Sequence, residues 1–320
     1  MNILVTGATG FLGCRVVGEL LKRGCSVRAL VRSPAFQCPA QWQGQVQIVQ
    51  ADLLVSEDLD TLFAGVDVLI HLAATVRGLA DEQLSGTVEG TRRLLDAMLR
   101  VGATRHIVLA SSFAVYDFSA DQHCLSEDSA LEPDPAARDG YTTAKLAQER
   151  LVRQMADDQG WTLSVLRPGL IYGPGASPAA SAGMKLGKLF LVVAPGARLR
   201  LTHVENCAAA FADAAAKKAA GTFNIVDDEH LSAWRYAGRL LRHAPRTVRV
   251  LFPYNAGLLI VLVIQVVTTL FPAVRRRLPG LLKPRVFRAR FRPFDYTNAH
   301  AKTVLGWRSK PLFESGSDVT

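Results

Sequence analysis

Thr6–Gly13, TGATGFLG, constrains this chain more than any other stretch. Before it, Met1–Val5 reads as a buried strand, and after it residues 14–23, CRVVGELLKR, carry apolar side chains at helical spacing. Glycine also serves ordinary turns, but strand, glycine turn and helix in this order is the setting in which such glycines meet phosphate. Gly7 allows a tight turn, Gly10 lets backbone approach a pyrophosphate, and Gly13 lets the helix lie close to the strand. The helix N-terminus adds free N–H groups and the positive end of its dipole. The start of the chain therefore reads as a dinucleotide-binding unit.

Strand-like and helix-like runs then alternate. Residues 26–31, 46–50, 66–73, 105–111 and 162–167 read as strands, with helical patterns near 56–64, 81–101 and 141–159. A helix over 208–218 and a strand over 221–226 follow. Such alternation predicts an α/β fold, a doubly wound parallel sheet of the Rossmann type, with ligands at the carboxyl ends of its strands. Residues 1–174, joined by 201–227, are expected to form this domain; 175–200 and 228–320 are expected to form a smaller C-terminal substrate domain.

The charge is uneven. The whole chain carries a net +9, yet residues 246–320 hold 13 Lys+Arg against 3 Asp+Glu, which leaves the remainder close to neutral. A basic C-terminal quarter points to an anionic surface, membrane or nucleic acid. The five cysteines, Cys14, Cys25, Cys38, Cys124 and Cys207, are scattered and show no metal-ligand spacing, so a reduced cytoplasmic setting and no metal are expected. Met1 leads straight into a strand, so no cleavable signal peptide is expected.

No acid stands at the end of the second strand, where one would accept from the ribose hydroxyls of NAD. Arg32 stands there instead and can pair with a 2′-phosphate, which favours NADP(H) and leaves NAD(H) open. Asp52, after the third strand, could accept from an adenine amino group or cap a helix beginning near Ser56. Tyr141 and Lys145 lie four residues apart at the start of a helix and so share a face. An ammonium there favours the tyrosinate and moves the phenol toward proton transfer. Ser111 and Ser112 end the preceding core strand, where a hydroxyl could orient a carbonyl oxygen.

Taken together, TGATGFLG, Asp52-Leu53, HLAA at 71–74, SSFAVY at 111–116, YTTAK at 141–145, RPGLIYGPG at 167–175, HVENCAAA at 203–210 and FDYTNAHAKTVLGW at 294–307 resemble the extended short-chain dehydrogenase/reductase family. The resemblance implies that Tyr141 is the general acid/base, that Lys145 holds the nicotinamide ribose and lowers the tyrosine pKa, and that Ser112, rather than Ser111, is the catalytic hydroxyl. It implies cofactor contacts at Gly7, Thr9, Gly10, Phe11, Leu12, Asp52, Leu53, Leu72, Ala73 and Ala74, with Pro168 and Ile171 on the nicotinamide side. Thr87 departs from the pattern: many relatives carry Asn there, which helps hold a water or helix backbone.

Leu170 stands where sugar-nucleotide enzymes of the family commonly carry Asn. HVEN and an apolar C-terminal stretch resemble instead the 3β-hydroxysteroid dehydrogenase and dihydroflavonol reductase branches, which interconvert hydrophobic alcohols and ketones by hydride transfer. A nucleotide-sugar epimerase, dehydratase or reductase is the alternative, and a cofactor-sensing binding protein without turnover is the third. Residues 250–274 carry no charge and are followed by Arg275, Arg276 and Arg277. Pro253 and Pro272 bracket a length marginal for crossing a bilayer. By the resemblance, FDYTNAHAKTVLGW packs back onto the substrate domain, so a crossing would strand it. The expectation is therefore peripheral or monotopic attachment to the inner face of an anionic membrane, with a lipophilic substrate, no nucleic acid, and a second copy of the chain as an admissible partner in a homodimer.

Overall fold

In the computed structural model, which describes residues 1–33, 35–176, 179–242, 246–270 and 278–312, the alternation becomes a seven-stranded parallel sheet. The first half runs β1 (Asn2–Thr6), α1 (Phe11–Lys22), β2 (Ser26–Val31), β3 (Val46–Gln50), β4 (Val68–His71), α2 (Ala80–Val101), β5 (His106–Ala110), β6 (Cys124–Leu125) and α3 (Gly140–Gln159). The second half runs β7 (Thr162–Pro168), β8 (Leu170–Tyr172), β9 (Gly183–Leu186), β10 (Leu189–Val193), β11 (Leu201–His203), α4 (Val204–Lys217), β12 (Gly221–Ile225) and α5 (Ala233–Leu240). It closes with β13 (Val248–Phe252), α6 (Tyr254–Thr269), α7 (Pro284–Phe291) and β14 (Asp295–Tyr296). The strand order is β12-β7-β5-β4-β1-β2-β3. The chain winds outward from β1 through β3 and then restarts at β4 on β1's other side, so a crevice opens beyond the carboxyl ends of β1 and β4.

Both faces of the central strands are covered, which is why β1, β4 and β5 read as continuous apolar runs, while the edge strand β3, VQIVQ, is largely exposed. Ile3 and Val5 of β1 face a core shared with Val16 and Val17 of α1 and Phe211 of α4. Leu4 faces the opposite core, with Leu94, Leu95 and Met98 of α2 and Val152 of α3. The helix expected near 56–64 is a single tight turn, Asp60–Phe63. Leu59, Leu62 and Phe63 fill the core beneath α2, and the chain must reach β4 almost at once.

A smaller layer lies at the substrate end, where β9, β10 and β13 form a three-stranded sheet backed by α5. The last described segment adds no strand to it. Tyr296 in β14 pairs with Leu125 in β6, and Ala301, Leu305 and Trp307 lie in the dinucleotide-side core beside α4. The Trp307 indole donates to Asn206 O at 2.9 Å. FDYTNAHAKTVLGW is therefore divided: Phe294 and Tyr296 pack with Ala289, and Tyr296 donates to Leu199 O on the substrate side, while Ala301, Leu305 and Trp307 join the core beside α4. Composition along the chain could not tell which core would accept a tryptophan that also needs a buried acceptor.

The apolar stretch is helical from Tyr254 to Thr269, with Pro253 as N-cap. At 1.5 Å per residue it is about 24 Å long, short of a bilayer core of about 30 Å. Among the described residues, no helix is long and apolar enough to cross a membrane. Gly257, Val261 and Thr268 form its buried stripe. A β-carbon on Gly257 would lie 2.6 Å from the Phe287 ring, so α6 lies tightly on α7. Leu258 packs beside this stripe, and most of the other apolar side chains face outward: Leu259 is 62 % exposed, Val266 67 % and Leu270 77 %. Residues 271–277, with the three arginines, lie outside the described residues. In the basic stretch that follows, Arg285 pairs with Glu132 at 2.5 Å and Arg292 donates to Phe118 O and Ala120 O, so these two are turned inward.

Candidate active site

The turn after β1 is built by steric exclusion. Gly7 has φ +67°, and a β-carbon there would lie 2.9 Å from Ala73 N. One on Gly13 would lie 2.1 Å from Gly7 O. Helix α1 thus sits directly on the turn, and the turn on the end of β4. Gly10 caps α1 with no side-chain hydrogen bond, which leaves N–H groups of the first turn free for an anion. Beyond the turn lies a cavity of about 480 Å³ lined by Gly7, Thr9, Gly10, Phe11 and Leu12, with Leu72, Ala73 and Ala74 opposite. Arg32, Asp52 and Leu53 close its far side. Arg32 is exposed, and among the described residues no carboxylate pairs with it. Asp52 Oδ1 accepts from Leu54 N at 2.9 Å, so its carboxylate closes a turn and caps no helix.

A second cavity, of about 1000 Å³, shares Leu12, Leu72, Ala74 and Val76 with the first, so the two are continuous. Ser112, Tyr141 and Lys145 line it, with Pro168 and Ile171. Asp139 begins α3 by accepting from Thr142 N at 2.7 Å, which places Tyr141 in the first turn and Lys145 one turn on. Ser112 Oγ accepts from Ala114 N at 3.1 Å and lies near enough to the Tyr141 phenol to favour its ionised form. Ser111 is otherwise engaged: its hydroxyl donates to Glu149 Oε2 at 2.5 Å. Glu149 in turn pairs with Arg167 at 2.5 Å and Arg153 at 2.9 Å. Burial works against the ionised Glu149, but Arg167 and Ser111 outweigh it and hold its pKa below the usual range.

Lys145 Nζ donates to Ala110 O at 2.8 Å and to Gln148 Oε1 at 3.0 Å. Burial pulls it down to about 8, against the opposing pull of Glu149. Burial likewise raises the Tyr141 phenol, helped by Asp139 and opposed by Ser112. The resemblance implied a lowered tyrosine, and here the shift is upward. Desolvation of the phenolate is the largest influence on Tyr141, and Lys145 donates two of its three N–H groups to Ala110 and Gln148.

Gln148 escaped the sequence reading, although it stands three residues after Lys145 and therefore on the same helix face. Its amide donates to Thr91 Oγ1 at 2.9 Å and to Ala73 O at 3.2 Å, and lies 3.1 Å from His71 Nε2. His71 Nδ1 is 2.7 Å from Thr6 Oγ1. Burial first, and then Lys145, push His71 down to about 3, so it is neutral at physiological pH. Thr87 Oγ1 accepts from Thr75 N at 3.0 Å and Thr87 O accepts from Thr91 Oγ1 at 2.7 Å. The threonine thus ties α2 to the loop after β4. Three arginines of the second cavity, Arg138, Arg200 and Arg290, were also missed, since they come from three distant segments.

The chain matches the model of the NAD dependent epimerase/dehydratase family over residues 3–226. It is 30% identical to a 3-diazoavenalumate denitrifying reductase from Streptomyces sp, with 99% of this chain and 98% of that one covered. It is 28% identical to 3beta-hydroxysteroid-dehydrogenase/decarboxylase isoform 1 of Arabidopsis thaliana, over 74% of this chain and 60% of that one. Among solved structures, MoeE5 in complex with UDP-glucose and NAD superposes with a TM-score of 0.70 at 23% identity, with 100% of this chain and 97% of that one covered, a likeness of fold.

Proposed function

Because the chain belongs to the NAD dependent epimerase/dehydratase family, extended short-chain oxidoreductases acting on CH–OH groups, we propose that it interconverts a secondary alcohol and a ketone on a lipophilic substrate at a membrane surface. The observation that carries the substrate class is the wall of the larger cavity. Leu281 and Val286 form part of that wall, and Leu281 also packs in the cluster that anchors α6 through Val261. Helix α6 is therefore packed against residues that wall the site, with its exposed apolar face turned away from them. We read that face as inserted in the interfacial region of an anionic membrane, where a lipophilic substrate could enter without crossing water. The chain spans 60% of the length of the plant steroid dehydrogenase/decarboxylase it matches, so a sterol-like substrate is a proposal drawn from part of that relative.

The glycine turn, the uncapped N-terminus of α1 and the adjoining cavity fit a dinucleotide. Arg32 favours NADP(H) by offering a guanidinium where a 2′-phosphate would lie, and NAD(H) is the family's general cofactor. When bound, the dinucleotide supplies or accepts hydride. The residues of the chain supply position and proton. Ser112 Oγ and the Tyr141 phenol converge on one substrate oxygen, and Tyr141 gives or takes its proton. Lys145, held by Ala110 O and Gln148, adds positive charge beneath that proton transfer and is in reach of a ribose in the shared cavity.

The test follows NADPH and NADH oxidation with steroid ketones and, separately, conversion of UDP- and dTDP-sugars by chromatography of the products, since epimerisation and dehydration return the hydride and leave no net change in the cofactor. Turnover of the ketones is expected. Turnover of the nucleotide sugars alone would replace the reading with the epimerase-like one, and dinucleotide binding without turnover of either would leave a sensing protein.

A further inference from the structure

The larger cavity carries more positive charge than proton transfer requires. Arg138, Arg200 and Arg290 line it together with Lys145. Asp139 is the acid on this wall among the described residues; its Oδ1 caps α3 and its Oδ2 lies 3.8 Å from Arg138 Nε. Glu132, nearby, is shared by Arg138 at 3.6 Å and Arg285 at 2.5 Å. Among the described residues no carboxylate is within ion-pair distance of Arg200 or Arg290. Arg200 is nonetheless built in. Its carbonyl accepts from Leu170 N at 2.7 Å, and a β-carbon on Gly169 would lie 2.4 Å from that same oxygen. Its guanidinium donates to Ala289 O and lies 4.5 Å from the Phe118 ring centroid, which Arg138 approaches to 5.1 Å. Burial, and then the like charge of Arg138, lower Arg200 to about 10, so it stays protonated at neutral pH. A largely desolvated guanidinium such as that of Arg200, crowded by Arg138 and without a carboxylate of its own, is costly unless an anion joins it.

We propose that Arg200 and Arg290 receive an oxyanion carried by the substrate, a carboxylate or a phosphate, while Leu281 and Val286 hold its apolar part. Planar guanidiniums suit such groups through paired charge-assisted hydrogen bonds. The inference rests on the reading of this cavity as the substrate site, so binding is measured apart from turnover. Dehydrolithocholic acid, its neutral methyl ester and UDP are titrated calorimetrically into the protein saturated with oxidised dinucleotide, for wild type, Arg200→Gln, Arg200→Lys and Arg290→Gln.

The acid is expected to bind about tenfold or more tightly than the ester, and each Gln variant to remove most of that preference while leaving the ester unchanged. Arg200→Lys should keep part of the preference, which a merely structural arginine would not explain. Arg290 is exposed, so its variant stands even if Arg200→Gln fails to fold. Equal binding of acid and ester by wild type, with no UDP binding, overturns the proposal, as does an equal loss of both in the variants. UDP binding in place of the acid, lost in the same variants, keeps the oxyanion site with a diphosphate as its source and instead defeats the lipophilic reading of the cavity.

Discussion

Adjacent serines at the end of β5 have opposite fates, and packing alone separates them. Ser111 is buried and bound to Glu149, at the centre of an ion cluster that includes Arg167. Ser112 turns to the cavity and meets the phenol of Tyr141. Tyr141→Phe is expected to keep dinucleotide affinity and lose roughly 10²–10⁴ in turnover, the size of a general acid/base contribution. Wild-type turnover in a variant that still binds cofactor would remove Tyr141 from proton transfer. Arg32→Ala should weaken NADPH about tenfold or more and leave NADH nearly unchanged, because only the former loses a charge-assisted phosphate pair. Fluorescence titration with both cofactors decides it; equal losses would make Arg32 a surface charge.

Helix α6 is the element whose sequence and surroundings disagree most. It is apolar all round, yet only the stripe through Gly257, Val261 and Thr268 is buried. Val261 is 2 % exposed and packs with Phe287, so changing it would unseat the helix along with any lipid contact. A clean test changes the outward residues Leu259, Val263 and Val266 to Ser. That variant should retain its unfolding free energy to within about 0.5 kcal/mol per substitution, the usual range for exposed positions. It should also lose co-sedimentation with anionic liposomes that wild type shows at low salt. Wild type left in the supernatant with both anionic and neutral lipid would assign this face to a second copy of the chain or another protein, not to a bilayer.

The molecule as a whole carries buried titratable groups whose effects on stability oppose one another. Burial holds His71 at about 3 and His106 at about 4, so between pH 6.5 and those values the unfolded chain binds the extra protons. Their contribution is present above pH 6.5 and is lost as pH falls. Asp227 runs the other way. Burial raises it from 3.8 to about 7, so the folded chain binds the extra proton in that window and stability is lost as pH rises through it. Two histidines against one aspartate leave stability falling toward acid between about pH 6.5 and 4, by up to about 1.4 kcal/mol per pH unit. His106→Gln, which can keep the contact with Ser164, should bring that slope close to zero in urea unfolding. An unchanged slope would mean that His106 is not titrating below its ordinary value.

Local pattern was enough for the dinucleotide half: the glycine turn, the run of strands, and Tyr141 one helical turn before Lys145. Each is a relation between residues near in the chain, where period and backbone sterics act directly. The predicted cofactor contacts, from Gly7 through Ile171, accordingly line one continuous pair of cavities. The family of the chain was legible for the same reason. What tertiary structure decided lies in relations between distant segments. Trp307 chose the core beside Asn206, and Gln148 and His71 became neighbours across 77 residues. Arg138, Arg200 and Arg290 came to line one cavity because the turn before α3, the β8–β11 pairing and α7, three distant segments, carry them there. A guanidinium's lack of a carboxylate has no signature in sequence, since it depends on every charge that folding brings near and every charge that it commits elsewhere.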